Sequence, residues 1–189
     1  VNVQGQSAES RDVMADAGLW NASLAPGAYT LRISAPGFAP LDRAITLDEG
    51  DKADLNVVLS ASRVQVQDTR LVLTDRIYFE TGSALIERRS FGLLEEIAGT
   101  LVLHPEIAKV SVRGHTDDVG EESANLALSL ARAQAVVRFL VASGVDADRL
   151  QAVGFGEGQP LIADQGTAAR AANRRVEFHI TERSDSAAR

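Results

Sequence analysis

The sequence predicts an α+β protein in two parts: a small all-β, sandwich-like unit, then a β-α-β-α-β-(α)-β sandwich with helices over a mixed sheet. Three observations carry this. Up to about residue 60, apolar residues alternate with period two between turn signals. From Asp75 onward, short β-rich runs alternate with stretches whose apolar residues recur every three or four positions. The 189 residues are 45% hydrophobic and 24% charged, enough for packed cores and unlike a disordered chain. The expected organisation is a β unit over 1–62, not necessarily complete, a connector over 63–74, a second domain over 75–182 and a disordered tail over 183–189.

In the first part, Tyr29, Leu31 and Ile33 share one face of a strand whose other face carries Thr30, Arg32 and Ser34. Pro26-Gly27 and Pro36-Gly37 bracket it as turns. Ile45 and Leu47 repeat the alternation, and so do Leu55, Val57 and Leu59, which predicts a further strand over Leu55–Leu59 beyond the polar turn Asp48–Asp51. Residues 1–18 show no clear period and read as a frayed end or as an edge strand with partners upstream. The chain opens on Val1 with no charged or apolar leader, so a fragment or processed form is expected, since a natural start is normally Met.

Val64–Gln67 and Arg70–Leu73 read as β pieces, and Ile77–Phe79 as a short strand. Phe91, Leu94, Ile97, Ala98 and Leu101 form one helical stripe that Pro105 stops. Ile107–Arg113 is a strand, and His115–Glu122 a loop. A long helix follows from about Ser123 to Ser143, with an expected core stripe of Leu126, Leu130, Ala133, Val137 and Leu140 or Val141, and Gly144 as its C-terminal stop. Leu150–Val153 is a strand, Gly154–Pro160 a turn-rich loop, Ala168–Ala172 a short helix, and Arg175–Ile180 a last strand with Val176, Phe178 and Ile180 on one face.

The net charge of −7 argues against nucleic acid as partner, because phosphate binding needs a concentrated basic surface. No apolar run approaches the roughly 20 residues that span a bilayer. The absence of cysteine removes disulfides, zinc–thiolate sites and thiol catalysis together.

The candidate chemistry lies at Gly114-His115-Thr116-Asp117-Asp118-Val119-Gly120 and the helix behind it. Asn125, Leu128 or Ser129, and Arg132 share a helix face that differs from the expected core stripe. Helical side chains lean toward the N-terminus, so Arg132 can reach back over Asn125 toward Asp117. An acid and a base facing one another have two readings: a structural ion pair, or a clamp in which aspartate takes an ammonium and arginine takes a carboxylate.

Gly114-His115-Thr116-Asp117, Gly120 and Asn125-x-x-Leu128-Ser129-x-x-Arg132-Ala133-x-x-Val136 closely resemble the signature of the OmpA-like peptidoglycan-binding domain, found also in peptidoglycan-associated lipoproteins and flagellar stator proteins. The resemblance begins near Tyr78-Phe79-Glu80-Thr81-Gly82-Ser83. It runs through Arg149-Leu150, Gly154-x-Gly156-Glu157-x-x-Pro160 and Asn173-Arg174-Arg175-Val176-Glu177, about residues 75–181 in all. It implies binding of the zwitterionic end of diaminopimelate in the peptidoglycan stem peptide, held by Asp117 and Arg132. It further implies contacts from Asn125, Arg174 and Thr116, with Thr81, Gly82 and Val119 on the rim. Gly82 stands where members often carry a polar side chain, so contact there is expected through backbone, Val119 replaces a residue that is polar in some members, and Glu80 replaces the more usual aspartate. The implied protein is a non-enzymatic wall anchor without cofactor, in the periplasm of a Gram-negative bacterium at the wall or outer membrane. Its implied partners are peptidoglycan, envelope or outer-membrane proteins, and a second copy of itself. Leu24-x-Pro26-Gly27-x-Tyr29-x-Leu31 and Gly37-Phe38 resemble, less specifically, carboxypeptidase-regulatory-like or PEGA β-sandwich modules, which are spacers or interaction domains.

Other signals read blandly. His115 is expected to support its loop by hydrogen bonding rather than bind metal, and Asp118 to be a solvated neighbour. Strand alternation would send Arg174 and Arg175 to opposite faces, so that one alone serves a pocket. The alternative functions are a scaffold module without ligand and, through a carboxylate pair such as Asp117 with Glu122, a wall hydrolase.

Overall fold

The computed structural model describes residues 2–5, 10–12 and 20–184, in two units divided between Ser62 and Arg63. In the first unit, β1 (Asn2–Gly5), β2 (Ser10–Asp12), β3 (Gly27–Ile33) and β4 (Leu41–Leu47) make one antiparallel sheet in the order β2-β1-β3-β4. β3 and β4 pair along their whole length, from Gly27 opposite Leu47 to Ile33 opposite Leu41. Leu31 is the buried residue of β3. Asp48 accepts from the Asp51 amide and Asp51 Oδ2 from the Asp48 amide, closing the expected polar turn.

Two expectations fail in this unit. β1 is neither frayed nor waiting on upstream partners, because it lies between β2 and β3. Leu55–Leu59 is not a strand, and Val58 is 92% exposed. Alternation supplies a face but not a partner. The returning chain bridges the β3–β4 connection, where Ala61 pairs with Phe38, Ala39 N–H donates to Ser60 O and Ser62 N–H to Gly37 O.

The second unit continues with β5 (Val64–Val66), β6 (Arg70–Leu73), α1 (Phe91–Leu103), β7 (Ile107–Gly114), α2 (Glu122–Ala142), β8 (Leu150–Gly154), α3 (Thr167–Asn173) and β9 (Val176–Arg183). The sheet order is β5-β6-β9-β7-β8, with β7 and β8 parallel and the other pairs antiparallel. Leu93, Leu94, Ile97 and Leu101 of α1, Ala133, Val136 and Leu140 of α2, and Val110, Val112 and Phe178 of the sheet form one core. Each large side chain so buried contributes about 1.5–3 kcal/mol. Phe91, at the mouth of the α1 stripe, is exposed and rests against Phe139 at 5.3 Å.

Ile77–Phe79 does not join the sheet. It forms a small local hairpin, with a single bridge from Phe79 to Ile86. Glu80 N–H donates to Leu85 O, Glu87 N–H to Tyr78 O, and Tyr78 N–H to Ser90 Oγ, so its backbone is satisfied without a neighbouring strand.

The face that α2 buries also departs from expectation. Leu126 is 51% exposed, and Leu130 and Val141 are exposed too. The buried set is Asn125, Ser129, Arg132, Ala133, Val136 and Leu140, itself spaced at four, three, one, three and four. Two glycines decide this rotation. A Cβ on Gly114 would lie 2.1 Å from Ser129 O, and one on Gly154 would lie 2.6 Å from Leu130 N. Bare backbone at the ends of β7 and β8 thus lets α2 seat closely through Ser129, whose hydroxyl donates to Leu126 O and accepts from Gly156 N–H. By length and composition α2 could cross a membrane, contrary to the reading of its sequence, yet here it packs on the sheet as a core helix.

Candidate functional site

β7 ends at Gly114, and the next residues are pinned by their backbone. His115 N–H donates to Arg175 O, and Thr116 N–H to Gly156 O, each at 2.9 Å. Asn125 holds the far side of the loop from α2. Its amide donates to Val119 O at 3.1 Å, to Asp117 O at 3.3 Å and to Glu157 Oε2 at 2.7 Å. Asn125 is therefore a buried staple of the loop and does not line the cleft beneath.

That cleft encloses about 590 Å³. It gathers Asp117, Arg132, Arg174, Thr116, Val119, Thr81 and Gly82, seven of the eight residues singled out in the sequence. Gly82 has φ +65°, a left-handed conformation that favours glycine, and an added Cβ there would meet nothing within 4 Å. Its presence serves the turn, and its backbone faces the cleft unscreened.

Asp117 and Arg132 line one cavity, but no ion pair joins them among the described residues. Asp117 Oδ2 accepts from Arg174 Nη1 at 2.5 Å, and Asp117 Oδ1 from the Val119 amide at 3.3 Å. Arg132 donates through Nε to Ser83 O at 2.9 Å, with its guanidinium 5.1 Å from the centre of the Phe79 ring. Arg132 is 8% exposed. Burial lowers its pKa, Arg174 lowers it further, and Asp117 acts against both. The sequence reading of a face apart from the core is corrected: Arg132 continues the buried face of α2 into the cleft.

Three neighbouring readings change as well. Asp118 is not a bare solvated neighbour, since Arg170 grips it at 2.7 and 3.3 Å. That hydrogen bond, with the charge behind it, holds the Asp118 carboxyl below its ordinary pKa. Arg174 and Arg175 both line the cleft, because β9 starts only at Val176 and the strand rule does not reach them. Arg175 pairs with Glu177 at 2.6 Å. Among the described residues the His115 side chain has no hydrogen-bond partner, although it is fully buried. It stacks on Phe155 at 5.3 Å, and its Nε2 stands 3.8 Å from Glu177 Oε2, beyond hydrogen-bond distance. Burial, with Arg175, Arg113 and His179 nearby, pushes its pKa down to about 4 despite the opposing Glu177. Thr116 Oγ1 is likewise buried without a hydrogen-bond partner.

The sequence reading missed Arg76, Arg170 and Arg175 as lining residues, because nothing in their spacing ties them to the Asp117 loop. Among the described residues no cluster of three or more His, Asp or Glu side chains could hold a metal ion.

Residues 78–174 match the OmpA family, slightly more than half of the chain. The chain belongs to the OmpA family. Residues 19–63 match the PEGA domain, so this OmpA-family chain carries a PEGA module ahead of the cleft-bearing domain. Among its relatives, the peptidoglycan-binding protein ArfA of Mycobacterium bovis is 37% identical over 104 residues, covering 55% of this chain and 32% of that one. The peptidoglycan-associated lipoprotein of Agrobacterium fabrum is 34% identical over 117 residues, covering 62% and 66%. The chain thus spans about a third to two thirds of the length of these relatives. The crystal structure of the peptidoglycan-associated lipoprotein from Burkholderia pseudomallei superposes with a TM-score of 0.52 at 33% identity, covering 57% of this chain and 91% of that one. The mixed sheet with its helices is the fold of that structure.

Proposed function

We propose that this chain binds peptidoglycan non-covalently, by gripping the zwitterionic end of diaminopimelate in the stem peptide. One observation carries the reading most: Arg132 is buried, shares a cleft with Asp117, and has no carboxylate within ion-pair distance among the described residues. A buried guanidinium without a counter-charge is costly in a free protein, and an arriving carboxylate relieves that cost. Asp117 already holds a cation, Arg174, at the place where a ligand ammonium would sit. Binding is then an exchange. The ligand ammonium replaces Arg174 on Asp117, and Arg174 turns with Arg132 to the ligand carboxylate. Thr116 Oγ1 lacks a partner and gains one, while Thr81, the Gly82 backbone and Val119 form the rim. Asn125 acts by keeping the Asp117 loop in shape.

The names of the Mycobacterium and Agrobacterium relatives support peptidoglycan as the partner. In this reading residues 75–182 are the binding module of a wall anchor that cleaves nothing, and 1–62 is a spacer or interaction module. The protein works in the periplasm of a Gram-negative bacterium, tethering the outer membrane or an envelope protein to the wall. The test is co-sedimentation with purified sacculi together with thermal unfolding in the presence of free diaminopimelate. A raised unfolding temperature with ligand, lost in both Asp117→Ala and Arg132→Ala, supports it. Variants that sediment with sacculi as the parent does would overturn it and leave the scaffold reading.

A further inference from the structure

We infer that Arg76 forms a second anion subsite in the same cleft, one that takes the α-carboxylate of the D-glutamate preceding diaminopimelate in the stem peptide. This rests on the reading of the cleft as a diaminopimelate site and goes beyond it. The argument is a charge balance. Five arginines line the cleft: Arg76, Arg132, Arg170, Arg174 and Arg175. Three of them are answered within the protein, Arg170 by Asp118, Arg174 by Asp117 and Arg175 by Glu177. Arg76 and Arg132 have no carboxylate partner among the described residues. A zwitterion brings one charge of each sign, so it rearranges these pairs and leaves the surplus of two positive charges untouched. A ligand that also carries a net negative charge fits the cleft better than the zwitterionic end alone.

The geometry separates the two unanswered arginines. Arg132 is tied to Ser83 O, on the loop that carries Thr81 and Gly82. Arg76 is tied to Ala171 O of α3 through Nη1 at 2.7 Å. Each has five N–H donors, and one of them is engaged among the described residues, which leaves a bidentate fork open on both. Two forks anchored on different elements suit two different carboxylates. The cleft volume of about 590 Å³ also lies within the roughly 300–1,000 Å³ of sites that bury a drug-sized ligand, more than an amino-acid end requires. Where the peptide α-carboxyl of diaminopimelate and that of the following D-Ala are both held in amide bonds, as on the donor side of a cross-link, the nearest further anion is the D-glutamate α-carboxylate, on the residue whose side-chain carboxyl is joined to diaminopimelate. That group exists either free or amidated, so Arg76 makes the protein a reader of amidation.

Calorimetric titration of the whole chain decides this. The ligands are free meso-diaminopimelate, the tripeptide L-Ala-γ-D-Glu-diaminopimelate with its peptide-terminal diaminopimelate carboxyl blocked as the methylamide, and the same blocked tripeptide with the glutamate α-carboxylate amidated. The parent protein should prefer the non-amidated tripeptide to the amidated one by about ten-fold, the scale of one hydrogen-bonded charge. In Arg76→Gln the ratio of the two affinities should fall to about one. Arg76→Lys keeps the charge without the fork and should give an intermediate ratio. Equal binding of the two tripeptides by the parent, or an undiminished preference in Arg76→Gln, overturns the inference while leaving the diaminopimelate site standing. Failure of the parent to bind free diaminopimelate overturns the underlying reading, and the subsite with it.

Discussion

Two arginines of the second unit, Arg149 and Arg132, are placed in opposite ways. Arg149 sits at the C-terminal end of α1 and spends its donors on the backbone. Its Nε donates to Ile107 O, and its Nη2 donates to Leu101 O, His104 O and Ile107 O. Those carbonyls include ones that a helix end leaves without partners, so the cation also answers the negative end of the helix. Arg132 is more deeply buried, yet it has a single acceptor among the described residues. The same side chain is a structural cap at one site and, in the reading proposed above, a ligand receptor at the other. The difference teaches that a buried cation is informative by what it lacks. Saturated, it stabilises the fold. Unsaturated, it costs stability and points to a ligand.

The comparison breaks most visibly in stability. Arg149→Met should destabilise the second unit by about 3 kcal/mol in denaturant unfolding, because several carbonyls lose a charged donor at once. Arg132→Met should leave stability within about 1 kcal/mol of the parent or raise it, since an apolar chain replaces a buried charge that Asp117 compensates only in part. The same variant should lower affinity for a diaminopimelate peptide about 100-fold, or about 2.7 kcal/mol, in calorimetry. If Arg132→Met unfolds the protein as Arg149→Met does, the distinction between cap and receptor collapses.

A smaller effect is read in pH. The pKa of His115 is pushed down to about 4 by burial, against about 6.5 in an unfolded chain. Below pH 6.5 the unfolded chain takes up the proton first, so the stability from a neutral His115 is full at pH 7 and is lost as pH falls from 6.5 toward 4. Between pH 7 and pH 5 the parent should lose about 2 kcal/mol more than His115→Gln in parallel denaturation curves. Equal losses would place the titrating group elsewhere. The smallest effect is expected at Asp118→Asn. Its pair with Arg170 is exposed to solvent, and the denaturation midpoint should not move measurably.

The order of elements in the second unit was legible because period 2 and period 3.6 report directly on strands and helices. Leu94, Ile97 and Leu101 fall where α1 needs them, as Phe178 does in β9. The rotation of α2 was not legible. Its apolar residues are spread around the helix, and Leu126 and Leu130 compete on paper with Ser129 and Ala133 for the inner face. The choice was made by Gly114 and Gly154, far away in sequence, which admit the helix backbone only along the Ser129 side. In the same way Leu55–Leu59 had the pattern of a strand but no strand to pair with.

At the cleft, residue type and loop-to-helix spacing brought Asp117 and Arg132 together, the resemblance to the OmpA-like domain added Arg174, and all three line one cavity. Which charge answers which was settled only by the fold. Asp117 pairs with Arg174, 57 residues on, while Arg132 leans on Ser83, 49 residues back. Sequence thus determined the Asp117 loop, the Arg132 helix and the periods that build the walls of the cleft, because each is a local property of the chain. Tertiary structure decided the pairings, the burial of Arg132 and the arrival of Arg76, because each depends on contacts closed by residues distant in sequence.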